Sequence, residues 1–567
     1  YFHGVFSNAK LYIEIDTNSS LVLDMPINDN STFSPTGFSP IIDNSSLNAD
    51  GELLAGAGVF EYVSTKECFN TYFTCQNKPN YDRGTKTITL SKDVVHGAPD
   101  DVYSIPSLGA FKVSLPELNI GARNTKSQPL GRFGSCSATF KDLPFSDNHL
   151  DPYVSERDYN PLQNGTFWTK FLARNKFYNG FKIRLYDGFV GQSIAEMNER
   201  EYIIDKISNP TSSGEVKITA NDLMRKTSLG NAIYPPVSNA KLRDNITATT
   251  TDIYTVGRLT EIDGTGPAFS INIKALVGDE VIRIFEPIDQ GGGIFLYQNV
   301  QRGEGSAATA HDSGVSLDYV INLQGSVSQV LTYLMREFFT VQEFDYANMT
   351  TEADTYLNHF ISGDISKPTN LNEILSEVAE QVGFYIWYDE SDKIIKFKAI
   401  RDEQAPVQTY NENINIIQGS AIPKVLSSER VSDIYIQYDR IDSVLPIPSD
   451  VNYLNALLLV DSEAVTPNEY GKSVTYKIKG NWIANESLAS ATANNIIKMF
   501  RDETRAISFQ LDIKDNIDIA QVFKLAYRGF TDIYGQPELI NWICTGRTRS
   551  GDILQITAQE FKFNVPV

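Results

Sequence analysis

Carboxylates come closest to a reactive arrangement in this sequence. Asp389, Glu390 and Asp392 crowd one turn. Such a group could hold Ca²⁺ or supply the carboxylate pair of a glycoside hydrolase. Acidic residues are equally at home at the tip of a solvated hairpin, and that is the preferred reading. Cys68 and Cys75 could form a disulfide or contribute two thiolate ligands to a metal. A metal needs two further ligands, and no nearby Cys or His provides them, so a structural thiol or disulfide pair is preferred and no metal is expected. His311 closes the run from Arg302 to Ala310; a hydrogen bond that locks a turn suits it better than catalysis, because no nucleophile or ligand partner is identifiable. The other histidines (His3, His96, His149, His359) are scattered without metal-ligand spacing. Gly291, Gly292 and Gly293 lack the Lys-Ser/Thr of a phosphate cradle and read as a hairpin loop. No nucleophile-elbow, zinc-helix or paired-thiol motif occurs. The chain is expected to be no enzyme and to carry no cofactor.

The elements that would position these residues are mostly strands. In residues 1–99, Leu11–Ile15, Leu21–Met25 and Thr87–Leu90 read as strands around a polar loop from Asn28 to Asn48. Residues 100–232 read as a β-barrel or sandwich. Phe111, Val113 and Leu115 alternate onto one face, and Tyr202–Asp205 and Val216–Thr219 flank a turn cluster at 209–214. The segment Thr166–Asn175 is the expected helix of this region. A small β domain follows at 233–325, with Glu280–Ile284 and Ile294–Tyr297 as strands across the glycine loop. An α+β domain spans 326–402. There Val327–Phe339 carries a helical period, Asn370 caps a second helix with Glu373 completing a capping box, and Gly383 stops it. A hairpin then runs from Phe384 to Phe397. The last β domain, 403–567, has Ile434, Ile436 and Tyr438 on one face, a helix at about 487–502, and strands near Phe509, Val522, Trp542 and Ile556.

Composition sets the outer bounds. At 567 residues the chain exceeds one hydrophobic core, and its 28 Tyr and 31 Phe favour β structure. The 49 Lys+Arg against 70 Asp+Glu give 49 − 70 = −21. A surface of that sign repels nucleic acid and anionic membranes, so DNA is expected only in transit. No apolar run approaches the ~20 residues of a membrane helix, and membrane insertion is not expected. The first residues lack a signal-peptide pattern, so synthesis and assembly in a cytoplasm are expected and the Asn-x-Ser/Thr triplets read as chance.

One block carries a family resemblance. Phe140–Asp147 leads into Leu150-Asp151-Pro152-Tyr153-Val154-Ser155-Glu156-Arg157, then Gly165-Thr166-Phe167-Trp168, Ala173-Arg174-Asn175 and Tyr178-Asn179-Gly180. The order resembles the tail-tip or baseplate hub proteins of long-tailed, siphovirus-like phages. Further matches follow from Cys68-Phe69-Asn70-Thr71, Arg302–His311, Ile513–Asp518, Tyr534–Pro537 and Leu554–Glu560. Two departures are the lack of cysteines at 40–60 and an N-terminal stretch of about 60 residues that matches nothing.

The resemblance implies a mainly β, multi-domain chain similar in plan to the central part of the phage lambda tail-tip protein. It implies two tube-like barrels (100–232 and 403–567) plus smaller inserted domains. Three chains would form a homotrimeric ring joining the sixfold tail tube to a threefold tip, part of the conduit for genome ejection within the virion. The implied partners are the distal tail or tube protein, the tape-measure protein, and other tip and fibre proteins. Asp151, Pro152, Tyr153, Glu156, Arg157, Gly165, Phe167, Trp168, Arg174 and Asn175 are the structural or ring-interface candidates. Phe167 and Trp168 read as core, Pro152 as a bend, and the charged residues as ion pairs within the subunit rather than between subunits. The alternative is a virion adhesin that binds or degrades host surface glycan. Because the chain ends soon after its last strand, host recognition is expected to fall to a separate protein.

Overall fold

The computed structural model describes residues 9–16, 87–92, 103–120, 130–259 and 273–563, less 149, 152, 190–191, 229–231, 286, 305–306, 391, 402–403, 442–450, 464, 467–470, 513, 516 and 551–552. Cys68, Cys75, Pro152, the 21–25 strand and the 28–48 loop lie outside these residues. The architecture is mainly β, built from several sheets that curl as half-barrels. Contacts divide it into two units, Tyr1–Val113 with Ser135–Leu223, and Ser114–Gly134 with Met224–Val567. Among the described residues no helix is long and apolar enough to cross a membrane.

The first unit is organised on an eight-stranded sheet. Its strands are β1 (Ala9–Asp16), β2 (Thr87–Ser91), β3 (Ser104–Ile105), β4 (Leu108–Ser114), β5 (Ser135–Lys141), β6 (Lys182–Phe189), β7 (Asn198–Ile207) and β8 (Glu215–Asn221), in the order β3-β2-β1-β6-β7-β8-β5-β4. Strict alternation drives the pairing of β5 with β8: Cys136, Ala138 and Phe140 face inward opposite Ala220, Ile218 and Val216. The 209–214 cluster turns β7 into β8, as expected. Phe111 departs from expectation. It is exposed while Val113 and Leu115 are buried, because β4 is the outermost strand and only part of it is covered. The helix α1 (Phe167–Arg174) stands where its pattern placed it, with Phe167, Trp168 and Phe171 buried.

The second unit begins with β9 (Ile233–Tyr234), β10 (Lys241–Leu242), β11 (Ile253–Val256), β12 (Ile273–Val277), β13 (Glu280–Ile284), β14 (Ile288–Gly291), β15 (Ile294–Tyr297) and β16 (Leu317–Ser326). The glycine loop does form a hairpin turn, between β14 and β15. The strand Glu280–Ile284 is not its partner: β13 pairs with β12 in the sheet β13-β12-β16-β17, whereas β15 belongs to β10-β11-β15-β14. Helix α2 (Val327–Arg336) is capped by Ser326, whose Oγ accepts from Gln329 N–H. Helix α3 (Tyr346–Tyr356) starts at Asp345, which accepts from Asn348 N–H. Next come β17 (Phe360–Ile365), β18 (Thr369–Asn370) paired with β9, and α4 (Leu371–Val382). The apolar spacing of α4 buries Leu371, Ile374, Leu375, Val378 and Val382, and Gly383 ends the helix in the left-handed region at φ +88.

The hairpin β19 (Phe384–Asp389) and β20 (Ile394–Ala399) follows α4. A six-stranded sheet then runs β21-β27-β28-β29-β26-β22, from β21 (Thr409–Asn411), β22 (Ile422–Leu426), β26 (Thr504–Asp512), β27 (Val522–Ala526), β28 (Asn541–Ser550) and β29 (Ile553–Glu560). Its core gathers Tyr410, Phe509, Phe523, Trp542 and Ile556 on one face. A three-stranded sheet, β24-β23-β25, uses β23 (Asp433–Arg440), β24 (Tyr453–Val460) and β25 (Thr475–Gly480). Helix α5 (Glu486–Phe500) packs on it, capped by Asn485.

Candidate functional site

In the first unit the resemblance block folds into one fastening around three aspartates. Asp142 leaves the end of β5 and caps α1 from outside the helix: Thr166 Oγ1 donates to its Oδ2 at 2.5 Å and Trp168 N–H to its Oδ1 at 2.9 Å. Gly165, at φ +78, turns the chain into that cap. Trp168 is fully buried against Phe140, ring centroids 4.9 Å apart. Its indole Nε1 donates to Ser107 Oγ at 3.1 Å, and Ser107 donates onward to the Lys141 carbonyl at 2.6 Å. Asn175 closes the helix, its Nδ2 donating to the Phe171 carbonyl at 2.9 Å.

Asp147, fully buried at φ +63, receives Arg174 Nη2 at 2.8 Å and Lys170 Nζ at 2.7 Å. Asp151 is also buried. Arg157 grips it with two bonds, Nε at 2.7 Å and Nη2 at 3.0 Å, and Tyr153 N–H donates to it at 3.0 Å. Glu156 sits exposed on the short 3₁₀ turn Val154–Glu156. Buried carboxylates met this way hold loop to helix, and the pairs named here lie within the subunit. The sequence picked out Asp151, Arg157 and Arg174 but not Asp142 or Asp147, because no local signal ties a carboxylate to a helix more than twenty residues away.

A second ionic knot lies in the small β region of the other unit. Glu280, fully buried at the start of β13, is gripped by Arg302 through Nε at 2.7 Å and Nη2 at 2.6 Å. Gly303 and Thr309 N–H groups donate to it at 3.0 Å each, and His311 Nε2 donates at 2.9 Å. Burial by itself would raise the Glu280 pKa. The hydrogen bonds from Arg302, Thr309 and His311, with the Arg302 charge, more than offset it and hold the value down to about 2. Arg302 also donates to the Thr247, Thr250 and Thr309 carbonyls. His311 thus helps to lock the 302–311 segment. The knot's signal in sequence was Glu280 opening a strand whose next two residues, Val281 and Ile282, are apolar.

The acidic turn is braced by a single lysine. Lys396 Nζ lies 2.8 Å from Asp389 and also pairs with Asp392. Among the described residues no group of three or more His, Cys, Asp or Glu could hold a metal. Cys136 and Cys544 are buried and lie outside any disulfide. The large exposed apolar residues include an uncharged edge strand, β24, with Leu454, Leu458 and Val460, and a turn bearing Ile533 and Tyr534.

No family model matches the chain, and no curated protein matches it. Solved structures give only distant likenesses. The 43 kDa tail protein of prophage MuSo2 from Shewanella oneidensis is 9% identical over 79% of this chain and 93% of that one, with a TM-score of 0.35. The prophage tail protein gp18 from Listeria monocytogenes EGD-e is 9% identical over 80% and 88%, TM-score 0.34. The tail protein from Neisseria meningitidis MC58 is 10% identical over 80% and 97%, TM-score 0.32. At TM-scores below 0.5 these likenesses carry no weight for the role of this chain.

Proposed function

We propose that this chain is a structural subunit of a phage tail tip, a hub that acts by assembly and catalyses nothing. Three copies form a ring beneath the tail tube, and their lumen is part of the path that DNA takes on ejection. The observation that carries the reading is the aspartate fastening. The residues of the resemblance block condense into one buried, ion-paired joint between loop, helix and sheet. A joint of that kind stiffens a subunit against load.

Two further features support the reading. Each chain carries two large curled sheets, of eight and six strands, so three chains supply six and can match a sixfold tube to a threefold tip. Three chains also carry about 3 × −21 = −63 charges, which disfavours retention of a phosphate backbone. Tube, tape-measure and fibre proteins are the partners this role requires, and the virion tail is its location. Mass spectrometry of purified tails, with sedimentation of the isolated chain, tests the proposal. The expected result is the chain in tails at three copies and a trimer in solution. A chain absent from tails, or one that releases sugar from host envelope, overturns it.

A further inference from the structure

Helix α4 is fastened to β24, β25 and the turn after β25 by three side chains on one stripe, Glu377, Glu380 and Gln381. Gln381, 1% exposed, is the fixed member. Its Oε1 accepts from Trp482 N–H at 2.7 Å, its Nε2 donates to the Lys479 carbonyl at 3.3 Å, and its carbonyl accepts from Thr492 Oγ1 of α5 at 2.6 Å. Glu380 accepts from the Tyr476 hydroxyl of β25 at 2.6 Å. Glu377 accepts from Trp482 Nε1 at 3.2 Å and from Asn481 Nδ2, and Asn481 Oδ1 in turn accepts from the Tyr453 hydroxyl of β24 at 2.8 Å. The same turn reaches a further element: Ser362 N–H of β17 donates to the Trp482 carbonyl at 3.2 Å, and the Trp482 ring packs against Gly363. Residues 481–482 are therefore a joint between α4, the β13-β12-β16-β17 sheet and the β24-β23-β25 sheet.

Glu377 is the variable member. Asp147, Asp151 and Glu280 are each met by a cation at hydrogen-bond distance. The partly buried Glu377 makes no ion pair among the described residues and is bonded to the neutral donors of Asn481 and Trp482. Two charges bear on it from further off, Arg440 at the end of β23 and Glu380 one turn along its own helix. Glu373, one turn before it, is exposed. Tyr453 and Tyr476 reach the joint from β24 and β25, bonded to Asn481 and Glu380. Burial pushes the Glu377 carboxyl up from its ordinary 4.5. The Asn481 and Trp482 bonds and the Arg440 charge pull it down, Glu380 pushes it up, and the balance is a raised value. A proton on Glu377 removes both the cost of enclosing its charge and the repulsion from Glu380.

We propose that Glu377 is a proton-operated latch, which holds α4 on the 481–482 turn more firmly when protonated than when charged. Acid closes the joint and alkali loosens it, the reverse of the acid weakening at Glu280. Because the folded chain keeps this proton to a higher pH than the unfolded chain, the stabilisation is complete below the ordinary 4.5 and is lost as pH rises through the folded value. The latch belongs to the second unit and does not depend on the hub role proposed above.

Hydrogen–deuterium exchange of the full chain tests it, comparing wild type with Glu377→Gln at matched pH from about 5 to about 8, so that intrinsic exchange cancels. Gln cannot ionise and stands in for the protonated form. Peptides covering 371–383 and 478–485 are expected to differ between the two proteins by no more than a fixed offset near pH 5. Towards pH 8 they are expected to exchange progressively faster in wild type than in the variant. Peptides of the six-stranded sheet, 504–512 and 541–550, are expected to show no such divergence. A ratio of wild-type to variant exchange that stays constant with pH, or falls, overturns the latch. Equal divergence in the sheet peptides overturns it too, since that reports global stability rather than a joint. Circular dichroism checks folding. If Glu377→Gln does not fold, Glu380→Gln replaces it: with the like charge gone, wild type is again expected to exchange faster than the variant towards pH 8, and equal exchange overturns the latch.

Discussion

Asp147 holds two cations from a backbone conformation that few residues adopt. Asn shares its tolerance of the left-handed region, so Asp147→Asn removes the charge without adding strain. Arg174 and Lys170 are then left with an uncompensated positive charge, and a loss of about 3 kcal/mol is expected by urea denaturation. The Arg302 guanidinium and the hydrogen bonds around Glu280 hold its carboxyl below the ordinary range. Its folded value is about 2 against an ordinary 4.5, so its stabilising effect is complete above about pH 4.5 and fades as pH falls towards 2. The shift corresponds to about 3 kcal/mol. Glu280→Gln is therefore expected to lie below wild type in stability at pH 7, and the gap should narrow between about pH 4.5 and pH 2. A gap that stays constant across that range would exclude the ionic account.

At the scale of elements, β17 and the chain after β25 are fitted closely. A methyl group on Gly363 would lie 2.5–2.8 Å from the ring of Trp482, itself 2% exposed and bonded to Glu377 Oε2 at 3.2 Å. Gly363→Ala should cost about 1–3 kcal/mol by overpacking, read as a fall in thermal midpoint. Such fits explain which elements could be foreseen. The helix α4 was legible because its apolar spacing, its Asn370 cap and Gly383 all lie within one short stretch, and α1 and α2 were legible for the same reason. Phe111 misled because alternation reports a strand's two faces but not whether the strand lies at a sheet's edge. Glu280–Ile284 misled because β14 intervenes and supplies β15 with its hairpin partner. The ion pairs of the fastening were visible as charges only, since Asp142 and Asp147 find their partners 23 to 27 residues away through the path of the sheet.

At the scale of the whole molecule, charge opposes the proposed assembly. Subunits of −21 each repel, and salt screens that repulsion over a Debye length of about 8 Å at physiological ionic strength. Trimer formation is therefore expected to tighten as salt rises from about 20 to 200 mM, a trend that sedimentation at two salt concentrations reads directly. DNA binding driven by phosphate contacts would weaken over the same interval. The two trends together separate a conduit from a nucleic-acid-binding protein.

Among the described residues each unit carries one enclosed thiol, Cys136 in the first and Cys544 in the second, with burial pushing the Cys544 thiol up to about 12. Neither can meet a reagent until its own sheet opens. In a chain with Cys68 and Cys75 replaced by serine, the two alkylation rates become separate clocks for the two units. They would report which unit yields first when the chain is pulled or warmed.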